Sequence, residues 1–202
     1  MKSLSPAQKN CHPFRMKLRI ANQSDASSIA AISIEVWVGT YLKKGVSAFF
    51  ADYALEEFTV QKIRNLIDDP AQFILVSLNE EGIDGFIRVS ARSSAPVNDC
   101  SDMEISTFYV QPRHHGKGIG KRLLSAALEH CRKTRASSVW LTTNAENDPA
   151  IAYFREELKK CLSLRTDFTS TLSDEEYLSH FETVRNFIAK LHDPIAFQRA
   201  RL

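Results

Sequence analysis

The sequence predicts an α/β protein of mixed α+β type, in which helices flank a central mixed β-sheet. Apolar runs typical of strands alternate with segments whose apolar residues recur at helical spacing. Three predicted strands follow one another without an intervening helix, and this run favours a mixed over an all-parallel sheet. The chain has 202 residues, of which 44% are hydrophobic, and is long enough to bury a core.

The first part of the chain predicts one strand and two helices. Residues 17–21 form the strand, and Ser24 or Asp25 is placed to cap the first helix. The second helix is predicted at about residues 56–68. Aromatic residues are frequent between the helices, where they either line a pocket or pack the second helix onto the sheet. They are Trp37, Tyr41, Phe49, Phe50, Tyr53 and Phe58.

The middle of the chain predicts the consecutive strands and a later helix–strand–helix series. The strands span residues 72–78, 84–92 and 103–110, with a hairpin turn between the first two. A helix begins at Ile119 after a glycine-rich segment. A strand at 137–143 and a helix at 147–160, with Pro149 in its first turn, complete the series.

Charge and cysteine content restrict the functional class. The net charge is +2, from 26 basic and 24 acidic residues, and gives no reason to expect nucleic acid or a membrane surface as partner. The four cysteines are far apart and include no C-x-x-C pair, so neither a disulfide framework nor a metal site is expected. Scattered thiols and a polar start without a signal peptide are typical of a cytoplasmic protein.

The glycine-rich segment is the strongest functional signal. Gly116, Gly118 and Gly120 lie between a predicted strand and a predicted helix. The first N–H groups of a helix have no intrahelical partner and carry about half a positive charge. Glycines that adopt positive φ bring such groups close to an anion, most often phosphate, and Lys117 and Lys121 would add charge. A tight turn with helix-packing glycines is the simpler alternative. The spacing matches neither the nucleoside triphosphate P-loop nor the dinucleotide fingerprint.

Residues 104–124, EISTFYVQPRHHGKGIGKRLL, resemble the central motif of the GNAT superfamily of acetyl-CoA-dependent N-acetyltransferases. That motif has an acidic strand residue, an apolar pair and a proline before [Q/R]-x-x-G-x-[G/A]. Gly118 and Gly120 occupy the glycine positions, and His115 stands where Gln or Arg is usual. Residues 18–41 are similar to the opening strand and helix of the family, and NDPAIAYF to its later Asn-x-x-Ala helix.

The resemblance implies acetyl transfer from the cosubstrate acetyl-CoA to a primary amine of a small molecule, peptide or protein. The pantetheine arm would lie along the backbone of Phe108, Tyr109 and Val110. The diphosphate would bind the N–H groups of the glycine segment, namely those of His115, Gly116, Lys117, Gly118, Ile119, Gly120 and Lys121. The acceptor, the oligomeric state and the pathway are not predicted.

The resemblance also suggests catalytic groups. Glu104 occupies the strand position of the general base, acting directly or through water, although a surface glutamate fits the same position. A tyrosine seven residues after the helix asparagine commonly protonates the leaving thiolate. From Asn147 that position is Phe154, and Tyr153 comes one residue early. At 100° per residue, we expect Tyr153 to point away from the face of Phe154.

We divide the chain into a flexible leader (1–16), a GNAT-like domain (17–160) and an atypical tail (161–202). The tail contains one strand-like run and an amphipathic helix at 173–192, capped by Ser173. We expect this tail to pack on the domain or to join two subunits into a homodimer. Two alternatives to the enzyme stay open: an inactive acyl-CoA-binding sensor of the same fold, and an unrelated phosphate-binding fold.

Overall fold

The computed structural model describes residues 17–95, 101–134, 136, 138–143 and 147–163, without the side chains of 157–163. The elements follow in chain order: β1 (Lys17–Ile20), α1 (Ala26–Tyr41), α2 (Ala48–Glu57), α3 (Val60–Asp68), β2 (Gln72–Leu78), β3 (Ile83–Ser90), β4 (Glu104–Val110), α4 (Ile119–Lys133) and α5 (Asp148–Ser163). Short 3-10 turns precede α1 and α4.

The sheet has the order β1-β2-β3-β4, and each neighbouring pair is antiparallel. At its far edge Trp140 forms a parallel bridge with Glu104. The N–H of Ile105 donates to the carbonyl of Trp140 at 2.8 Å, and the N–H of Trp140 donates to the carbonyl of Met103 at 3.1 Å. Helices cover both faces, so the predicted α/β fold with flanking helices is confirmed.

The alternation of side chains along the strands creates two cores, one on each face of the sheet. On one face, α4 packs Ile119, Leu123 and Ala127 against the sheet. On the other face, α1 and α3 cover the sheet with Ile29 and Ile63. Helices α3 and α4 owe their position to an apolar stripe. The sheet residues of the first core are Leu75, Ile87, Val89 and Ile105, and those of the second are Ile74, Val76 and Phe86.

Several predicted boundaries differ from the structure. Asp25 is at the N-cap position of α1, as one of the two predicted candidates, but its side chain makes no cap hydrogen bond there. Asn22 caps the 3-10 turn before α1, since its side chain accepts from the Ser24 N–H while Asp25 accepts from the Asn22 N–H. The expected helix at 56–68 is two helices, because Phe58 ends α2 and Thr59 caps α3.

The C-terminal predictions are tested only in part. Among the described residues of the strand predicted at 137–143, only Trp140 pairs with the sheet. Helix α5 continues to Ser163, past residue 160 and into the run from Cys161 that we expected to be a strand. The leader, the rest of that run and the helix at 173–192 lie outside the described residues.

The aromatic segment forms a cluster of its own between α1 and α2. The ring of Trp37 lies with its centroid 5.2 Å from that of Tyr53 and 5.5 Å from that of Tyr41. Phe50 and Phe58 complete the cluster at 6.1 and 6.5 Å. These contacts position the end of α1, where Tyr41 borders the cleft described below.

Candidate active site

The glycine turn between β4 and α4 has the expected left-handed backbone. Gly116 and Gly118 have φ values of 75° and 78°, and Gly118 is the N-cap of α4. Arg122 donates its N–H to the Gly118 carbonyl at 3.2 Å, so the amides of residues 119–121 come before the first intrahelical bond. The N–H of His115 already donates to the Pro112 carbonyl at 3.1 Å. The amide of His115, which we expected to bind an anion, is therefore already hydrogen-bonded, and the candidates for anion binding are the amides that follow it.

The space above this turn suits a bulky anion. A Cβ added at Gly116 or Gly118 would meet nothing within 4 Å, so the turn faces open space. A Cβ at Gly120 would come within 3.2 Å of Phe108 Cζ and 3.5 Å of the Tyr153 hydroxyl. The first turn of α4 thus approaches its neighbours as closely as glycine allows. Amides at the N-terminus of a helix are suited to a phosphate-bearing anion.

A cleft of about 870 Å³ leads from the turn along β4 to the end of α1. It is bordered by β4, by the start of α4, by the start of α5 and by Thr40 and Tyr41 of α1. All the predicted cofactor residues line it except Lys117, whose Nζ lies 3.0 Å from His114 Nδ1. Those residues are Phe108, Tyr109, Val110, His115, Gly116, Gly118, Ile119, Gly120 and Lys121.

The outer edge of β4 is open along the cleft. Trp140 pairs with the start of the strand, and no described residue pairs with that edge beyond Ile105. An extended ligand could therefore bond, in the manner of an added strand, to those N–H and C=O groups of residues 106–110 that point away from β3. The Val110 carbonyl oxygen already lies 2.9 Å from Nε2 of His115. The edge leads directly to the glycine turn, so one elongated ligand could use both features.

Glu104 lies at the start of β4 and is half-buried. Its Oε2 accepts a hydrogen bond from the Ser93 hydroxyl at 2.6 Å. It is not among the residues that line the cleft, unlike its neighbours Ile105 and Ser106. The Glu104 carboxylate is therefore not positioned to contact a ligand in the cleft directly.

A bulge in β4 brings hydroxyl groups to the cleft that sequence reasoning missed. Val89 pairs with Ile105 and Arg88 with Thr107, so Ser106 is the extra residue. Ser106 and Thr107 both line the cleft. No sequence pattern marked them, because the bulge is a property of strand register.

Phenol groups with raised pKa values stand at the α1 end. Burial raises the pKa of Tyr109 well above its usual range, and Tyr41 and Tyr53 raise it further. Burial also raises the pKa of Tyr41, with a second contribution from Tyr53. These phenols therefore stay protonated at neutral pH.

Helix α5 corrects one prediction. Tyr153 and Phe154 both line the cleft, and their ring centroids lie 5.9 and 5.8 Å from that of Phe108. The expectation that Tyr153 points away from the Phe154 face was wrong, because two large rings can reach the same neighbour from adjacent sides of a helix. Asn147 accepts a hydrogen bond from the Ala150 N–H at 3.3 Å, which is the capping contact expected of it.

The described residues contain neither a membrane-spanning helix nor a cluster of metal ligands. None of their helices is long and apolar enough to cross a bilayer. Within the same part of the chain, no three His, Cys, Asp or Glu side chains are grouped as metal ligands.

An open strand edge that ends at a left-handed glycine turn and a helix N-terminus defines a class of fold suited to elongated, phosphate-bearing ligands. The profile of the Acetyltransferase (GNAT) family matches residues 36–158, which is more than half of the chain. The chain belongs to this family.

Named relatives are distant. An N-acetyltransferase 9-like protein of Caenorhabditis elegans is 27% identical over 144 residues, which cover 63% of this chain and 70% of that protein. Mycothiol acetyltransferase of Renibacterium salmoninarum is 25% identical over 152 residues, or 70% of this chain. The chain spans only 45% of the length of that relative.

Solved structures share the fold. The PaiA N-acetyltransferase of Thermoplasma acidophilum, in complex with coenzyme A, has a TM-score of 0.61 and 18% identity, and the match covers 71% of this chain and 88% of that one. The aminoglycoside N-acetyltransferase AAC(6')-Iy, in complex with CoA, has a TM-score of 0.56 and 15% identity over 72% of this chain and 88% of that one.

Proposed function

We propose that this chain transfers an acetyl group from acetyl-CoA to a primary amine. The observation that carries the proposal is the continuity of the open β4 edge, the glycine turn and the start of α4 along one cleft, in a member of the GNAT family. Bound acetyl-CoA would supply a thioester, a good acyl donor to an uncharged amine. Relatives that bind coenzyme A support the cosubstrate.

The binding residues have separate tasks. The backbone of Phe108, Tyr109 and Val110 holds the pantetheine arm at the open edge. The amides from Gly116 to Lys121 hold the diphosphate, and the Lys121 ammonium adds charge at the rim of the cleft. The side chain of His115 turns back to β4, with Nε2 2.9 Å from the Val110 carbonyl oxygen, and stabilises the turn.

A base has to remove a proton from the amine, because an alkylamine has a pKa of about 10.4 and only its neutral form attacks. We propose Glu104 for this role, acting through water, since it is not among the residues that line the cleft. We propose Tyr153, whose ring lies beside that of Phe108, as the phenol that gives a proton to the departing thiolate. We also propose a cytoplasmic location, and a homodimer through residues 161–202 stays a prediction.

A second candidate function is an acyl-CoA-binding module without activity. The bond between Ser93 and Glu104, together with the position of Glu104 outside the cleft lining, favours it. Both candidates require the same cofactor geometry and differ only in chemistry.

Calorimetric titration with acetyl-CoA tests the cleft, and thiol release with a panel of primary amines tests the chemistry. We expect binding, and release with at least one amine. Glu104→Gln should lower turnover at pH 7 at least tenfold while the dissociation constant of acetyl-CoA stays unchanged. Binding without release for any amine would favour the inactive module, and an absence of binding would contradict both candidates.

A further inference from the structure

A polar network links β2, β3 and the bulged part of β4, and the proposed function assigns it no role. Its centre is Arg88, a half-buried residue of β3. Its Nε donates to Thr107 Oγ1 at 3.2 Å and its Nη1 to Gln72 Oε1 at 3.1 Å. Burial lowers the pKa of the guanidinium, and the carboxylate of Glu104 opposes that shift. An arginine nevertheless stays charged and can only donate hydrogen bonds.

The donor-only character of Arg88 fixes the orientation of every group in the network. The amide of Gln72 has to present its oxygen to Arg88, and its Nε2 then donates to Asp69 Oδ2 at 3.4 Å. Ser90 lies 2.6 Å from the same Gln72 oxygen and therefore donates its proton to it. Ser106 Oγ, 2.6 Å from Ser90 Oγ, has to be the donor in that bond. Ser106 thus has lone pairs but no proton for the cleft.

The Thr107 hydroxyl differs from that of Ser106, because it keeps its proton for a further hydrogen bond. Arg88 occupies a lone pair of its hydroxyl oxygen, and no other described residue hydrogen bonds to that hydroxyl. The Thr107 proton is therefore left for a partner in the cleft. Thr107 lies next to Phe108, at the end of the proposed pantetheine track that is farther from the glycine turn. This is where the acyl end of an extended arm arrives when its diphosphate is on α4.

We propose that Arg88 is a positioning residue, which holds the Thr107 hydroxyl as a hydrogen-bond donor to the thioester carbonyl oxygen of acetyl-CoA. This inference rests on the proposed function, because it needs the pantetheine arm on β4. Arg88 acts through Thr107 and has no contact with the ligand. The bulge matters because it places Thr107 opposite Arg88 in the strand register.

The test compares two ligands that differ only in the acetyl group. Calorimetry on the full chain gives the ratio of the coenzyme A to the acetyl-CoA dissociation constant, and this ratio requires no amine and no turnover. We expect Thr107→Val to lower the ratio about three- to tenfold, the effect of one neutral hydrogen bond. Thr107→Ser, which keeps the hydroxyl, should retain it.

Arg88→Met should lower the ratio as Thr107→Val does, and the double variant should lower it no further, because both changes remove one interaction. Arg64→Met, at an exposed arginine of α3, is the matched control and should keep the wild-type ratio. If Arg88→Met does not fold, Arg88→Lys takes its place, since one ammonium cannot make both bonds of the guanidinium fork.

The outcomes separate the two claims. A ratio unchanged in the Arg88 variant, an equal loss of both ligands, or additive losses in the double variant would overturn the role of Arg88 while the proposed function stands. Failure of the wild-type chain to bind either ligand would overturn the proposed function, and this inference with it.

Discussion

At Gly118 the backbone has a φ of 78°, a conformation that costs a residue with a side chain about 1–2 kcal/mol. The cost is conformational, because a Cβ there would meet no neighbour within 4 Å. Gly118→Ala should therefore lower the free energy of unfolding by about 1–2 kcal/mol and weaken acetyl-CoA binding. Urea denaturation and calorimetry measure the two effects.

Gly39 provides the matched control. It lies within α1, and an added Cβ would also meet nothing within 4 Å. Gly39→Ala should raise the free energy of unfolding by up to about 1 kcal/mol, since alanine favours helix. Equal effects of the two substitutions would contradict the left-handed backbone at Gly118.

Tyr153 lines the cleft, its ring contacts Phe108, and its buried hydroxyl lies near Gly120 in the first turn of α4. Tyr153→Phe keeps the ring, so the acetyl-CoA dissociation constant should stay within twofold. Turnover should fall about three- to tenfold, a small loss because a thiol with a pKa of about 8.5 already leaves readily as thiolate. Thiol release across pH 6–9 measures this. A loss of a hundredfold or more would show that the phenol is indispensable.

Single residues were predictable from sequence where the signal is local. The glycine turn could be read because positive φ and free helix amides depend on neighbouring residues only. Arg88 and Thr107 could not be found this way, since their contact depends on the register of β3 against β4 and on the extra residue Ser106. Tyr153 was misjudged because angular spacing on a helix ignores the reach of a large side chain.

Among the elements, α4 couples the site to the core. Leu123 is completely buried within the core on its side of the sheet, and α4 begins at the glycine turn. Leu123→Ala should lower the free energy of unfolding by about 2–5 kcal/mol through the lost contacts and the cavity left behind. Chemical denaturation measures the loss.

The comparison for Leu123 is Leu55 of α2, which is 63% exposed. Leu55→Ala should change the free energy of unfolding by no more than about 0.5 kcal/mol. A large effect of Leu55→Ala would contradict the exposure of Leu55 and indicate that another part of the chain packs on α2.

Two elements differ from the sequence prediction. Helix α2 has little separation of apolar and polar faces, and its aromatic rings pack around Trp37 of α1, so tertiary contacts rather than periodicity stabilise it. The strand expected at 137–143 has the right composition, yet among its described residues only Trp140 pairs with β4. That limited pairing leaves the edge of β4 open for the proposed cosubstrate.

For the whole molecule, acid sensitivity follows from groups on opposite faces of the sheet. Arg19 hydrogen bonds to Asp25 and lowers the pKa of that carboxyl, while burial opposes the shift. The stabilisation from Asp25 is present above the unfolded pKa of about 3.9 and is lost as the pH falls through the lower folded value. The stabilisation from Asp25 is therefore lost only in strong acid.

His130 acts in a higher pH window. Its ring stacks on Phe73 of β2, with centroids 3.7 Å apart and planes 4° from parallel. Burial lowers the pKa of His130, and the charge of Lys133 lowers it further. The unfolded chain then binds the proton more readily than the folded one, so stability falls as the pH drops below the unfolded pKa of about 6.5. Among the described groups with shifted pKa values, only His130 has an ordinary pKa, about 6.5, between 5 and 7.

His130→Gln removes this titration and should flatten the dependence of stability on pH in that window. Urea denaturation of both proteins at pH 8, 7, 6 and 5 measures it, with pH 8 as the reference for the lost stacking contact. The free energy of unfolding of the wild-type chain should decline between pH 7 and 5 more steeply than that of the variant. Parallel curves would mean that the His130 ring is protonated equally in the folded and unfolded chains, and would contradict its burial against Phe73.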